Sequence, residues 1–216
     1  MGLKMLPICY KTLIEPLRLP KKLLATTLFA LLLKMTFIVL NFLVLNKKGE
    51  YLFGVELVFL LYVSPITLFL FALNNYYAFD PHYFFNIYFR TGRKGPLINA
   101  YLRTVGLLLV TDFTVMASAF YAFQQLPKLT ELLPFYIATS LVLIILGMFF
   151  STVLLLKIDT KSLMTSYKTY THPASSLLCI ILVFGLSYFV ADIIYLTVST
   201  IVLLLIAALM TYRVII

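Results

Sequence analysis

Residues 23–45 read LLATTLFALLLKMTFIVLNFLVL. One charge, Lys34, stands in the middle of an otherwise almost wholly apolar run. A helix on the surface of a soluble protein needs a polar face, and this stretch has none. It is long enough for the ~20 apolar residues of a membrane crossing. Working outward, similar runs recur at 52–73, 104–123 and 135–156, and a longer one covers 177–215. The last is too long for one helix in a bilayer of ~30 Å at ~1.5 Å per residue. It reads as two spans, 177–190 and 194–213, turning near Asp192. The expected fold is therefore all-α, a single transmembrane domain over 1–216 with six spans.

Composition agrees. Of 216 residues, 62% are hydrophobic and 12% charged, against roughly 45–50% and 25% in soluble domains. Six crossings use up the apolar total, so no soluble catalytic domain fits. The net charge of +9 reads as topology rather than nucleic-acid binding, because Lys and Arg accumulate in cytoplasmic loops. With the N-terminus inside, 13 of the 17 basic residues fall in inside segments and three (Lys47, Lys48, Lys128) outside, with Lys34 within a span. This bias predicts both termini in the cytoplasm of a multi-pass cell-membrane protein.

Two inside segments carry structure of their own. Residues 1–22 are cut by Pro7, Pro16 and Pro20, and 8–15 read as a basic helix lying in the membrane interface. Residues 74–103 are the longest polar connection. Asp80-Pro81 is a helix start signal, and the helix runs over 81–90 to stop at Gly92. Its Tyr83, Phe84, Ile87 and Tyr88 are too apolar to lie bare in cytosol, and Arg90, Arg93 and Lys94 give it a basic end.

Candidate chemistry is sparse. Cys9 and Cys179 make no metal spacing, and His82 and His172 sit in separate loops. No P-loop or GxSxG motif occurs. No metal, cofactor or catalytic residue is expected. Ionisable residues within spans cost free energy in hydrocarbon and face protein or water. Glu56 and Arg213 lie near span ends and Asp192 at a turn, so Lys34 and Asp112 are the deep pair. They form an intramembrane ion pair if spans 1 and 3 are neighbours, or they line a substrate path.

A basic interfacial helix before span 1, a helix-bearing connection between spans 2 and 3, and a tight hairpin of spans 5 and 6 together resemble the membrane subunit of ABC-2-type (G-type) ABC transporters. The layout TGRKGPLINAYLR over 91–103 is similar to that family's segment after the coupling helix. The resemblance implies a permease, an exporter in direction, driven by a separate ABC-type ATPase. It also implies a second copy or homologue of the chain, and ATPase coupling through Tyr83, Phe84, Ile87, Tyr88, Arg90, Arg93 and Lys94. Two other classes stay open: the substrate-binding membrane subunit of an energy-coupling-factor-type importer, and a non-transport scaffold or assembly factor. An adjacent gene encoding an ABC ATPase separates the first class from these. Reporter fusions in loops 74–103 and 157–176 and at both termini are expected to report cytoplasm; an external signal from the C-terminal fusion would exclude six spans.

Overall fold

The computed structural model describes residues 21–80, Phe84, 95–154 and 171–215. The elements among them are helical: α1 (Lys21–Lys48), a 3-10 turn (Leu52–Gly54), α2 (Glu56–Val63), α3 (Ile66–Phe71), a 3-10 segment (Leu73–Phe79), α4 (Gly95–Ala122), α5 (Leu126–Val153), α6 (Pro173–Ser187) and α7 (Ile193–Ile215). Four of them, α1, α4, α5 and most of α7, are long and apolar enough to cross a membrane. The pair Glu56–Val63 and Ile66–Phe79 makes a fifth crossing if it is one span, bent by 69°. At 15 residues, α6 extends only about 22 Å, less than the ~30 Å hydrocarbon core.

The outward faces are apolar. Leu24, Leu28, Leu32, Leu40 and Leu43 are exposed along α1, and Ile194, Val198, Ile201, Leu205 and Leu209 along α7. The interior holds Lys34, Asp112, Asn41, Asn74 and Asn75, all essentially inaccessible. An apolar exterior around a largely apolar core that also buries charged and amide side chains departs from the soluble pattern and suits a bundle whose outer solvent is lipid.

The broken element is the hub. α1 packs along α2 and α3 on one side and α4 on another; α5 packs against α4, the 3-10 segment and α7; α6 closes over α2, α3 and α5. Sequence explains the break locally. Pro65 has no amide hydrogen and disfavours helical backbone in the residue before it. Ser64 is accordingly extended, at φ −65° and ψ 161°. Two later kinks, at Ala72 (φ −135°, ψ −54°) and Asn75 (φ −135°, ψ 32°), turn the chain into the 3-10 segment.

Several expected boundaries shift. Residues 74–79, expected in a polar connection, are buried, and several polar groups there and at Leu73 find partners inside the bundle. Ser151 Oγ donates to Leu73 O (2.8 Å) and accepts from Tyr76 N–H (3.2 Å), and the Tyr76 and Thr104 hydroxyls share a hydrogen bond at 2.9 Å. Gly95-Pro96, within the expected connection 74–103, opens α4 nine residues before 104. A proline in a first turn gives up an amide that had no helical partner anyway. Pro134, expected in the loop 124–134, lies inside α5; one lost backbone bond does not end a helix supported by neighbours. The actual α4–α5 link is a tight turn. Gln124 is left-handed at φ 57°, and Gln125 N–H bonds Phe120 O at 2.8 Å, a Schellman cap. The turn near Asp192 is present: its Oδ1 caps α7, accepting from Ile194 N–H (3.0 Å) and Tyr195 N–H (3.3 Å). α7 then runs mainly along α5 rather than back along α6. The expected helices at 8–15 and 81–90 lie outside the described residues, except Phe84.

Close packing at the hub depends on Gly147 of α5. A Cβ there would fall 2.4 Å from the Tyr101 hydroxyl and 2.8 Å from Phe69 Cε1. Small residues let membrane helices approach in this way. Gly147→Ala is expected to destabilise the chain by about 1–3 kcal/mol through overpacking. Gly106→Ala, at a site where nothing lies within 4 Å, is expected to be neutral or slightly stabilising. Thermal unfolding of both variants in the same detergent checks the contrast.

Candidate functional site

Breaking a helix frees backbone groups. In a continuous helix, Leu61 O would accept from residue 65 and Ser64 O from residue 68. Pro65 cannot donate, and Ser64 Oγ fills in, donating to Leu61 O at 2.7 Å. Leu68 N–H turns to Pro65 O at 3.1 Å, which releases Ser64 O. Unwatered carbonyls at this depth require a protein donor.

Lys34 supplies it. The residue sits near the middle of α1, fully buried, and its Nζ donates to Ser64 O at 3.2 Å. The same Nζ donates to Asp112 Oδ2 of α4 at 2.5 Å. Both side chains are wholly inaccessible. Tyr136 of α5 completes the group: its hydroxyl lies 3.0 Å from Asp112 Oδ2 and 3.1 Å from Leu109 O. It has one proton, so it donates to one of these at a time. The Lys34 ammonium also lies 5.4 Å from the Tyr136 ring centroid, within cation–π range. Asp112 Oδ1 is buried and has no hydrogen-bond partner.

Four elements therefore meet at one point: α1 through Lys34, the break through Ser64 O, α4 through Asp112 and α5 through Tyr136. Chemically this is one cation, one carboxylate, one carbonyl and one hydroxyl, sealed from solvent. It holds no nucleophile activated by a base. Among the described residues no group of three or more His, Cys, Asp or Glu could hold a metal ion.

Lys34 and Asp112 stand out in sequence as isolated charges in apolar runs. Ser64 O and Tyr136 do not. Ser64-Pro65 marks a kink, but not which donor reaches the freed carbonyl. Tyr136 belongs to the span without charges, and its position two residues after Pro134 is the only irregularity nearby. Of the ATPase-coupling candidates, Phe84 is buried, its ring centroid 5.1 Å from that of Tyr76 and 4.9 Å from that of Tyr77. Tyr83, Ile87, Tyr88, Arg90, Arg93 and Lys94 lie outside the described residues. Arg213 falls in α7, its side chain outside what is described.

A second polar cluster lies at the ends of the helices. Tyr51 OH donates to Glu56 Oε1 at 2.7 Å, and Lys128 of α5 donates to the Tyr51 oxygen. The Lys128 ammonium stands 4.5 Å over the Tyr51 ring and 5.4 Å over that of Phe59. Burial, and then the neighbouring Glu56 carboxylate, hold the Tyr51 hydroxyl above its ordinary pKa. The contact ties the α1–α2 connection to the start of α5 and puts the two connections at one end of the bundle. His172, the second histidine marked in sequence, is the N-cap of α6, its Nδ1 accepting from Ala174 N–H at 3.2 Å.

No family model, curated protein or solved structure matches the chain.

Removing one partner of a buried ion pair leaves the other charge uncompensated, at a cost of about 3–5 kcal/mol. Lys34→Met and Asp112→Leu are each expected to destabilise by that order. The double variant is expected to cost much less than their sum, because no buried charge is left over. Denaturant unfolding of the three variants completes the cycle; additive losses would show that the two residues do not depend on each other.

Proposed function

We propose that the chain is the membrane subunit of a transporter of the ABC-2-type permease class, driven by a separate ABC-type ATPase and working as a pair of copies or with a homologue. The observation that carries the reading is the broken second span at the centre of the bundle. Discontinuous helices at membrane depth persist where they are sheathed in protein or line a path, and transport proteins build substrate and ion sites at such breaks. Here the two halves of the break contact α1, α5 and α6. A movement of one half is therefore felt by three other helices.

On this reading the chain has six spans in the cell membrane, with α6 as the short fifth and both termini inside. The segment between Asp80 and Gly95 takes the coupling position, joining the foot of the broken span to α4. Phe84 of that segment packs on Tyr76 and Tyr77, and Tyr83, Ile87, Tyr88, Arg90, Arg93 and Lys94 are the residues we assign to the ATPase contact. Energy from ATP enters through the partner, and this chain contributes the path. Exporter is the direction that the family resemblance carries.

The test is purification from the native host in mild detergent. The chain is expected to copurify with a nucleotide-binding subunit and a second membrane protomer. Ile87→Asp with Tyr88→Asp is expected to leave the amount of chain in the membrane unchanged while releasing the ATPase. A chain that purifies without any nucleotide-binding partner would remove the permease reading and favour the scaffold class.

A further inference from the structure

We propose that the break in the second span is a monovalent-cation site, and that the chain fills it with its own ammonium group, Lys34. The oxygens around Nζ make the case. Asp112 supplies a carboxylate and Ser64 a backbone carbonyl freed by the proline, both bonded to Nζ, and the Tyr136 hydroxyl lies 3.0 Å from the same carboxylate oxygen. Hard oxygen donors of this kind suit alkali cations as well as ammonium, and carbonyls of unwound helices are a recurrent part of such sites in membranes. One carboxylate matches one positive charge. Asp112 Oδ1, buried and without a hydrogen-bond partner, is a spare oxygen that the tethered ammonium leaves unused.

The tether matters because a freely bound ion leaves when its concentration falls, whereas Lys34 is covalently present. The chain thereby holds the break together without drawing on sodium or potassium. A cation is favoured there: without one, the buried carboxylate keeps only the Tyr136 hydroxyl as a partner and the freed carbonyl has none. The inference concerns Lys34, Ser64, Asp112 and Tyr136 alone. It needs no ATPase partner and stands or falls apart from the permease reading.

Lys34→Ala tests it, because it removes the ammonium and opens space where it stood. The purified full chain is unfolded thermally in sodium chloride and in choline chloride at equal ionic strength. The wild-type chain is expected to melt at the same temperature in both. Lys34→Ala is expected to melt lower in choline and to rise by roughly 5 °C as sodium saturates the site. Lys34→Met, whose side chain refills the space, and Lys34→Ala with Asp112→Asn, which lacks the carboxylate, are both expected to show no sodium response. The proposal is overturned if Lys34→Ala melts identically in the two salts, or if the variant without Asp112 responds equally. It is also overturned if Lys34→Ala fails to accumulate in membranes, since a site able to recruit sodium would be filled there.

Discussion

A peptide carbonyl freed inside a membrane has no water to turn to, so the protein must bring a donor to it. The Ser64-Pro65 step frees several, Leu61 O and Ser64 O among them. Ser64 satisfies Leu61 O with its own hydroxyl, and Lys34 reaches across from α1 to satisfy Ser64 O. An ammonium in that position needs a counter-charge, which Asp112 brings from α4, and the carboxylate takes a further hydrogen bond from Tyr136 of α5. One proline thus leads to contacts that fix three long helices around the break. The pair is not chiefly a source of stability, since desolvating two charges offsets most of their attraction. Its value is positional: the halves of the span stay at a defined angle because the partners exist at one geometry only.

The lower half of the break follows the same rule with weaker groups. The 3-10 segment would expose unpaired backbone groups, and neutral hydroxyls from neighbouring helices meet some of them. Ser151 serves both Leu73 O and Tyr76 N–H, and Thr171 donates to Leu70 O at 2.6 Å. These side chains are small, so the helices can come close enough to help, and Gly147 permits the nearest approach. Aromatic rings fill the remaining space. Tyr76, Tyr77, Phe84 and Tyr101 form one cluster, and Phe42, Phe59, Phe120 and Phe123 another toward the end where Lys128 meets Tyr51. The break therefore lies between two packed aromatic layers.

This arrangement bears on function through what it leaves movable. α7 shows lipid-type exposure along most of its length and packs mainly on α5, while the break is gripped from several sides. Phe84 packs against Tyr76 and Tyr77 of the 3-10 segment, which continues from the break that Lys34 and Asp112 hold. On the proposed permease reading, a coupling segment would act on the break through this continuity.

The class of the chain was legible in its sequence because bilayer physics is local in sequence: ~20 apolar residues in a row have no soluble fate. The same logic marked Lys34 and Asp112, since an ionisable residue in hydrocarbon must have a reason. The caps at Asp192 and Gln124, the shared role of Ser64 and Tyr136, and the burial of 74–79 were not legible in this way. Asn74, Asn75, Tyr76 and Tyr77 read as a polar loop because polarity along the chain cannot reveal partners 75 or more residues away, such as Ser151 and Cys179. Prolines misled for a related reason: Pro65 breaks its helix where Pro96, Pro127 and Pro134 do not. The outcome depends on the position of each in its helix and on which neighbours accept the freed groups. Sequence alone thus determined a helical membrane protein with a buried charge in each of two spans. Only the tertiary structure decided that the two charges meet, and that they do so at the carbonyl released by a proline between α2 and α3, because hydrogen-bond partners are chosen by distance in space.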